Sequence, residues 1–129
     1  MNTIVCVDDD LDDLMFIREA INYVDNGYEV VEFTNGIEAI KYLHRAKADA
    51  QLPCLILLDV NMPLLDGKKT LEKIRTELEL NNLPVIVLTS SQNPNDRALF
   101  RSKGVEMYTK PMRVAELHVM VKEFLTHCS

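Results

Sequence analysis

The sequence predicts a doubly wound α/β fold, a five-stranded parallel sheet covered by helices on both faces. Three observations carry this. Five short apolar runs alternate with five longer stretches of helical period, at residues 3–7, 28–33, 54–58, 84–89 and 105–109 for the runs. The central runs, Leu55-Ile56-Leu57-Leu58 and Val85-Ile86-Val87-Leu88, are apolar throughout rather than alternating, as strands buried on both faces are. And 129 residues suit one domain, leaving no room for a second after the fifth helix. The order βαβαβαβαβα then implies parallel strands joined by right-handed crossovers.

The helices follow in order. Leu14, Ile17, Ile21 and Val24 stripe the first. Asn35 and Glu38 form a capping pair at the start of the second. Leu71, Ile74 and Leu78 mark the third. Asn93-Pro94 supplies an N-cap and a first-turn proline to the fourth, and Gly104 stands where a glycine ends it. Val114, Leu117, Val121 and Phe124 line the fifth.

Composition excludes several classes. Apolar residues are 47% and charged residues 26%, so disordered and fibrous chains are out. The formal charge of −6 repels phosphate backbones and anionic lipid, so neither nucleic acid nor membrane is an expected partner. No apolar run approaches the ~18 residues of a membrane span, and MNTIVCVDDD lacks the basic start of a signal peptide, so a cytoplasmic location is expected. Cys6, Cys54 and Cys128 are odd in number and show no CxxC spacing. They are expected to be free thiols, with Cys6 and Cys54 acting as small buried hydrophobes. His44, His118 and His127 have no ligand spacing and are expected at the surface or on helix flanks.

In folds of this class the site lies beyond the carboxyl ends of the strands. The first strand ends in Asp8-Asp9-Asp10, the third in Asp59, the fourth in Thr89-Ser90-Ser91 and the fifth in Lys110-Pro111. Asp10, Asp12 and Asp13 are explained by the attraction of a helix N-terminus for negative charge. Asp8, Asp9 and Asp59 together are not: three carboxylates on one edge repel, and need a cation or raised pKa values to persist. Oxygen ligands at this density suit Mg²⁺. Three aspartates, one Mg²⁺ and Lys110 sum to zero charge, the balance a phosphoryl-transfer site requires. The proline after Lys110 admits a cis bond that would turn the lysine into the pocket.

With these residues in place the chain resembles the receiver domain of two-component response regulators, the flavodoxin-like (βα)5 fold of the bacterial chemotaxis regulator. The matching pieces are VDDD at 7–10, LDVNMPLLDG at 58–67, VLTSS at 87–91 and KP at 110–111, in order and spanning nearly the whole chain. Segments 46–53 and 79–84 are similar to single-domain regulators associated with phytochromes. The resemblance implies one receiver domain over residues 1–129 with no output domain. It makes Asp59 the phosphoacceptor and Asp9 a direct Mg²⁺ ligand, with Asp8 sharing that duty or holding a metal-bound water. Asn61 would give its backbone carbonyl to the metal, while Lys110 and the Thr89 hydroxyl would contact the phosphoryl group. Met62-Pro63 and Asp66-Gly67 would shape the following loop, Gly67 through a backbone geometry that other residues resist.

The function implied is a phosphorelay step. Asp59 takes a phosphoryl group from a phosphohistidine on a sensor histidine kinase or histidine phosphotransfer protein. The switched surface, on the fourth helix, fifth strand and fifth helix, then engages a downstream protein. Such a module is not an enzyme on other substrates. Leu11, Met15 and Arg18 form an outward stripe on the first helix where a helical phosphodonor would dock. One departure stands out: the family's aromatic switch, three residues before the lysine, is Met107 here. With a regular strand, Met107 faces one side while Glu106, Tyr108 and Lys110 face the other, so Tyr108 is expected to be largely buried and not the gate. A haloacid-dehalogenase-like hydrolase is disfavoured because Asn61 stands where its second acid is needed, and no glycine-rich nucleotide loop exists. The remaining alternative is a receiver-like interaction module that signals without phosphorylation.

Overall fold

A computed structural model describes residues 2–128. Strands β1 (Thr3–Val7), β2 (Glu29–Phe33), β3 (Leu55–Leu58), β4 (Val85–Thr89) and β5 (Glu106–Thr109) alternate with helices α1 (Leu11–Val24), α2 (Gly36–Ala48), α3 (Gly67–Arg75), α4 (Pro94–Ser102) and α5 (Val114–Leu125). The sheet is parallel throughout, in the order β2-β1-β3-β4-β5. This is the expected flavodoxin-like (βα)5 architecture. Strand order reverses between β1 and β3, so the carboxyl ends of these two strands flank the crevice.

Side-chain alternation along the strands builds two cores. Val5, Val7, Ile56, Leu58, Val85 and Val87 face α2, α3 and α4, where Leu43, Leu71, Ile74 and Phe100 meet them. Ile4, Cys6, Leu55, Leu57, Ile86 and Leu88 face α1 and α5, where Leu14, Ile17, Ile21, Leu117, Val121 and Phe124 meet them. Every strand residue from Leu55 to Leu58 and from Val85 to Thr89 is buried, the consequence of helices on both faces.

Local signals explain the boundaries. Asp10 caps α1 by accepting from the backbone N–H groups of Asp12 and Asp13, at 2.9 and 3.2 Å. Asn35 caps α2 through the Glu38 N–H at 3.0 Å, and Asn93 caps α4 through the Asn95 N–H at 2.9 Å. Gly104 follows α4 with φ +70°, a left-handed position suited to glycine. The third helix is shorter than its apolar stripe implied: α3 stops at Arg75, and Leu78 is buried from the turn that follows. Arg75 holds that turn by donating from Nη1 to the carbonyls of Leu80 and Leu83, at 2.6 and 2.8 Å.

The cysteine expectation is overturned. Cys54 and Cys128 form a disulfide with Cα atoms 5.0 Å apart across a sequence separation of 74. The reason is topological: α5 runs back antiparallel to the strands, so the 3₁₀ turn after it (Thr126–Cys128) returns to the sheet edge where β3 begins. Cys6 is free and buried, and burial pushes its thiol well above the ordinary range. Among the described residues, no helix is long and apolar enough to cross a membrane.

Candidate functional site

The carboxyl ends of β1 and β3 deliver Asp8 and Asp59 side by side, since Val7 and Leu58 are register partners. Backbone bonds fix both: Asp8 N–H donates to the Phe33 carbonyl at 3.0 Å and Asp59 N–H to the Val7 carbonyl at 2.9 Å. Asp8 is 2% and Asp59 6% exposed, while the neighbouring Asp9 is exposed. Oxygen atoms of Asp8, Asp9 and Asp59 lie within 4.8 Å of one another, a spacing a single cation can bridge.

Lys110 enters from the end of β5. Its backbone N–H donates to the Thr89 carbonyl at 2.9 Å, and its ammonium lies 2.7 Å from Asp8 Oδ2, 2.7 Å from Asp13 Oδ2 and 3.6 Å from Asp59 Oδ2. The Lys110–Pro111 bond is trans, because no cis peptide occurs among the described residues. The expected cis turn is unnecessary: the long lysine stem reaches the acids from an ordinary strand end. Asp13, read from sequence as a charge drawn to the helix N-terminus, also anchors this lysine; its place in the first turn of α1 was the available signal.

Electrostatics follow from this crowding. Burial, reinforced by the Asp59 charge, pushes the Asp8 carboxyl up to about 6 even though Lys110 and the Asp10 N–H oppose it. Burial works against the Lys110 charge, but the bonds to Asp13 and Asp8 and the Asp59 charge more than offset it and hold the ammonium above its usual value. Asp59 Oδ1 accepts from its neighbour Val60 N–H at 2.8 Å, and Oδ2 faces the lysine.

Thr89 ends β4 fully buried, its hydroxyl accepting from the Ser91 N–H at 3.2 Å. The loop after β3 carries Asn61, exposed two residues beyond Asp59, and returns to α3 at Gly67. Gly67 is required for close approach rather than for an unusual backbone angle: a Cβ there would overlap the Asp59 carbonyl oxygen and crowd Val60. Its N–H donates to the Val60 carbonyl at 2.8 Å, which closes the loop under the acids.

The β5 alternation is as expected. Met107 packs against the core on the α4 side and Tyr108 against the α1/α5 side, its ring edge-on to Phe124 at 5.0 Å. Tyr108 is less buried than expected, because its hydroxyl reaches out to donate to Glu106 Oε2 at 2.7 Å; that bond, with burial, pushes the phenol up to about 12. On α1, Leu11 is 69% exposed and Met15 half-buried. Arg18 is not free beside them: its Nη1 is 2.8 Å from both carboxylate oxygens of Glu32.

The family profile described as response regulator receiver domain matches residues 4–122. The chain belongs to this family. Relatives of the receiver domain include the response regulator Rcp1 of Synechocystis sp., 30% identical over 122 residues that make up 92% of this chain and 83% of Rcp1. The alkaline phosphatase synthesis transcriptional regulatory protein PhoP of Bacillus subtilis is 32% identical over 126 residues, 97% of this chain but 49% of PhoP. Among solved structures, the phosphorylated cyanobacterial phytochrome response regulator RcpA superposes with a TM-score of 0.82 at 34% identity, covering 96% of this chain and 91% of RcpA. The Mn²⁺-bound form of Rcp1 gives a TM-score of 0.82 at 27% identity, covering 98% and 93%.

Proposed function

We propose that this receiver domain is a phosphoacceptor in a two-component phosphorelay and that Asp59 carries the phosphoryl group. The observation that supports this most directly is the cluster of Asp8, Asp9 and Asp59, with the Lys110 ammonium against Asp8 and Asp59 and a buried threonine hydroxyl ending the next strand. Phosphorylated RcpA and Mn²⁺-bound Rcp1 are similar proteins in which phosphate and a divalent ion occur.

The donor set fits a hard divalent cation: all candidate ligands are oxygens, three of them carboxylates, and Lys110 alone leaves the three acids under-neutralised. We assign the metal to Asp8, Asp9 and Asp59 with the Asn61 backbone carbonyl, and Mg²⁺ as the ion. When bound, Mg²⁺ supplies positive charge against the acids and the incoming phosphoryl oxygens.

The chain's own groups do the rest. An Asp59 carboxylate oxygen attacks phosphorus in line; the P–N bond to the donor histidine breaks and its electron pair stays on the imidazole. Lysine has three protons, and two are engaged by Asp8 and Asp13. The third is available toward Asp59, 3.6 Å away, where the transferred oxygens arrive. Thr89 stands on the next strand to donate its hydroxyl to the product. Water later cleaves the acyl phosphate. The donor is a sensor histidine kinase or histidine phosphotransfer protein, the output is a downstream protein, and the domain acts on no substrate but itself, in the cytoplasm.

The test is incubation with acetyl phosphate and Mg²⁺ followed by intact mass. One added phosphoryl group, absent with chelator and absent in Asp59→Asn, is the expected result. An unlabelled wild-type protein under these conditions would identify the domain as an interaction module instead.

A further inference from the structure

Asp96, the third residue of α4, is 4% exposed yet is a carboxylate. Its Oδ1 lies 2.6 Å from Lys68 Nζ in α3, and its Oδ2 accepts from the Ser91 hydroxyl at 3.0 Å. The Ser91 N–H in turn donates to Thr89 Oγ1 at 3.2 Å. An unbroken polar chain therefore runs from the buried Thr89 hydroxyl through the loop between β4 and α4 to the second residue of α3. Both ends abut the site: Thr89 closes β4, and Lys68 follows Gly67, which packs on the Asp59 backbone.

Helix capping does not explain this arrangement, because Asn93 already caps α4. Burying a carboxylate is costly unless it is paired, and here Lys68 first, then Ser91, hold Asp96 ionised, below the ordinary carboxylate range. The pair thus ties α3 to α4.

We propose that Lys68, Asp96 and Ser91 form a latch that holds the β4–α4 loop, and the Thr89 hydroxyl with it, in the unphosphorylated arrangement. Lys68 and Asp96 are positioning residues that act on Thr89 through Ser91. This rests on the phosphoacceptor reading. In the present arrangement Thr89 accepts from its own loop. A hydroxyl can donate and accept at once, so Thr89 reaches a phosphoryl oxygen on Asp59 and keeps the Ser91 N–H only if the loop moves with its Oγ1. The Lys68–Asp96 pair resists that movement, because through Ser91 it ties the loop to α3. Breaking the latch is then part of the free energy of switching, and a phosphoryl group shifts the equilibrium only by the excess of its contacts over that resistance.

The experiment is calorimetric titration with beryllofluoride in the presence of Mg²⁺, a non-transferable stand-in for the phosphoryl group. Lys68→Met and Asp96→Asn should each bind it about threefold or more tightly than wild type. The double variant should gain no more than the stronger single one, since both cut the same chain. Lys68→Arg, which keeps the ion pair, should match wild type. Lys68 is 41% exposed in its side chain, so its replacement leaves a folded protein to measure. Unchanged or weaker beryllofluoride affinity in the variants, with a lowered melting temperature alone, would overturn the latch and leave the bridge as structural. A wild-type protein that takes neither beryllofluoride nor acetyl phosphate would overturn the phosphoacceptor reading, and the latch with it.

Discussion

Lys110 has two carboxylates at 2.7 Å and a third at 3.6 Å, yet burial, with the Asp59 charge behind it, still raises the Asp8 carboxyl to about 6. The sign of the consequence is fixed. A carboxylate with a folded pKa above its unfolded value binds more protons in the folded state, so stability falls as pH rises through that window. Without metal, the melting temperature should therefore drop between about pH 4 and about pH 6 relative to an Asp8→Asn variant, in which this contribution is absent. Thermal melts in chelator on both proteins measure it; parallel pH profiles would contradict the assignment of strain to Asp8. A divalent ion should reverse the drop, and Asp9→Ala should weaken the Mg²⁺ affinity read by calorimetry, because Asp9 is the exposed member of the trio and the one Lys110 does not touch. Asp8, Asp9, Asp59, Thr89 and Lys110 were all legible in the sequence, because each stands at the end of an apolar strand. Asp13 was hidden among acids that a helix N-terminus explains equally well. Asp96 and Lys68 were hidden because their pairing depends on how α3 and α4 pack, which neither segment states.

The elements place these residues by devices of uneven visibility. Apolar runs, caps and the glycine after α4 could be read directly, as local chemistry dictates them. Gly67 was noticed but for the wrong reason: its role is to let α3 begin against the Asp59 backbone. Gly67→Ala should destabilise by about 1–3 kcal/mol through overpacking and loosen the loop below the acids, as urea unfolding would register. A normal midpoint would contradict that close approach. The disulfide could not be read at all, since its halves lie 74 positions apart and only the antiparallel return of α5 brings them together. Cys54→Ser should cost about 2–4 kcal/mol, and reductant should lower the melting temperature of the wild type but not of the variant. Two titratable thiols at Cys54 and Cys128 in the unreduced protein would contradict the pairing.

At the scale of the molecule, the strand order sets the acids of β1 and β3 on either side of the reversal point. The lysine of β5 closes the site from one side, and both faces of the sheet stay dry beneath it. The fold and its chemical end were therefore legible together: the apolar runs that bury β1, β3 and β4 stop where the polar residues of the site begin. The departure at Met107 belongs to this scale too. Met107 packs on the α4 side, where Arg97 donates to its carbonyl at 3.3 Å, whereas Tyr108 is tied to Phe124 and Glu106 on the opposite face. The proposed function depends on one claim, that Asp59 carries the phosphoryl group. The most direct measurement is borohydride trapping after acetyl phosphate treatment, which reduces an acyl phosphate to an alcohol, followed by peptide mass spectrometry. Conversion of Asp59 to homoserine, dependent on Mg²⁺ and lost with chelator, is the expected result; conversion at Asp8 or Asp9, or none, would contradict it.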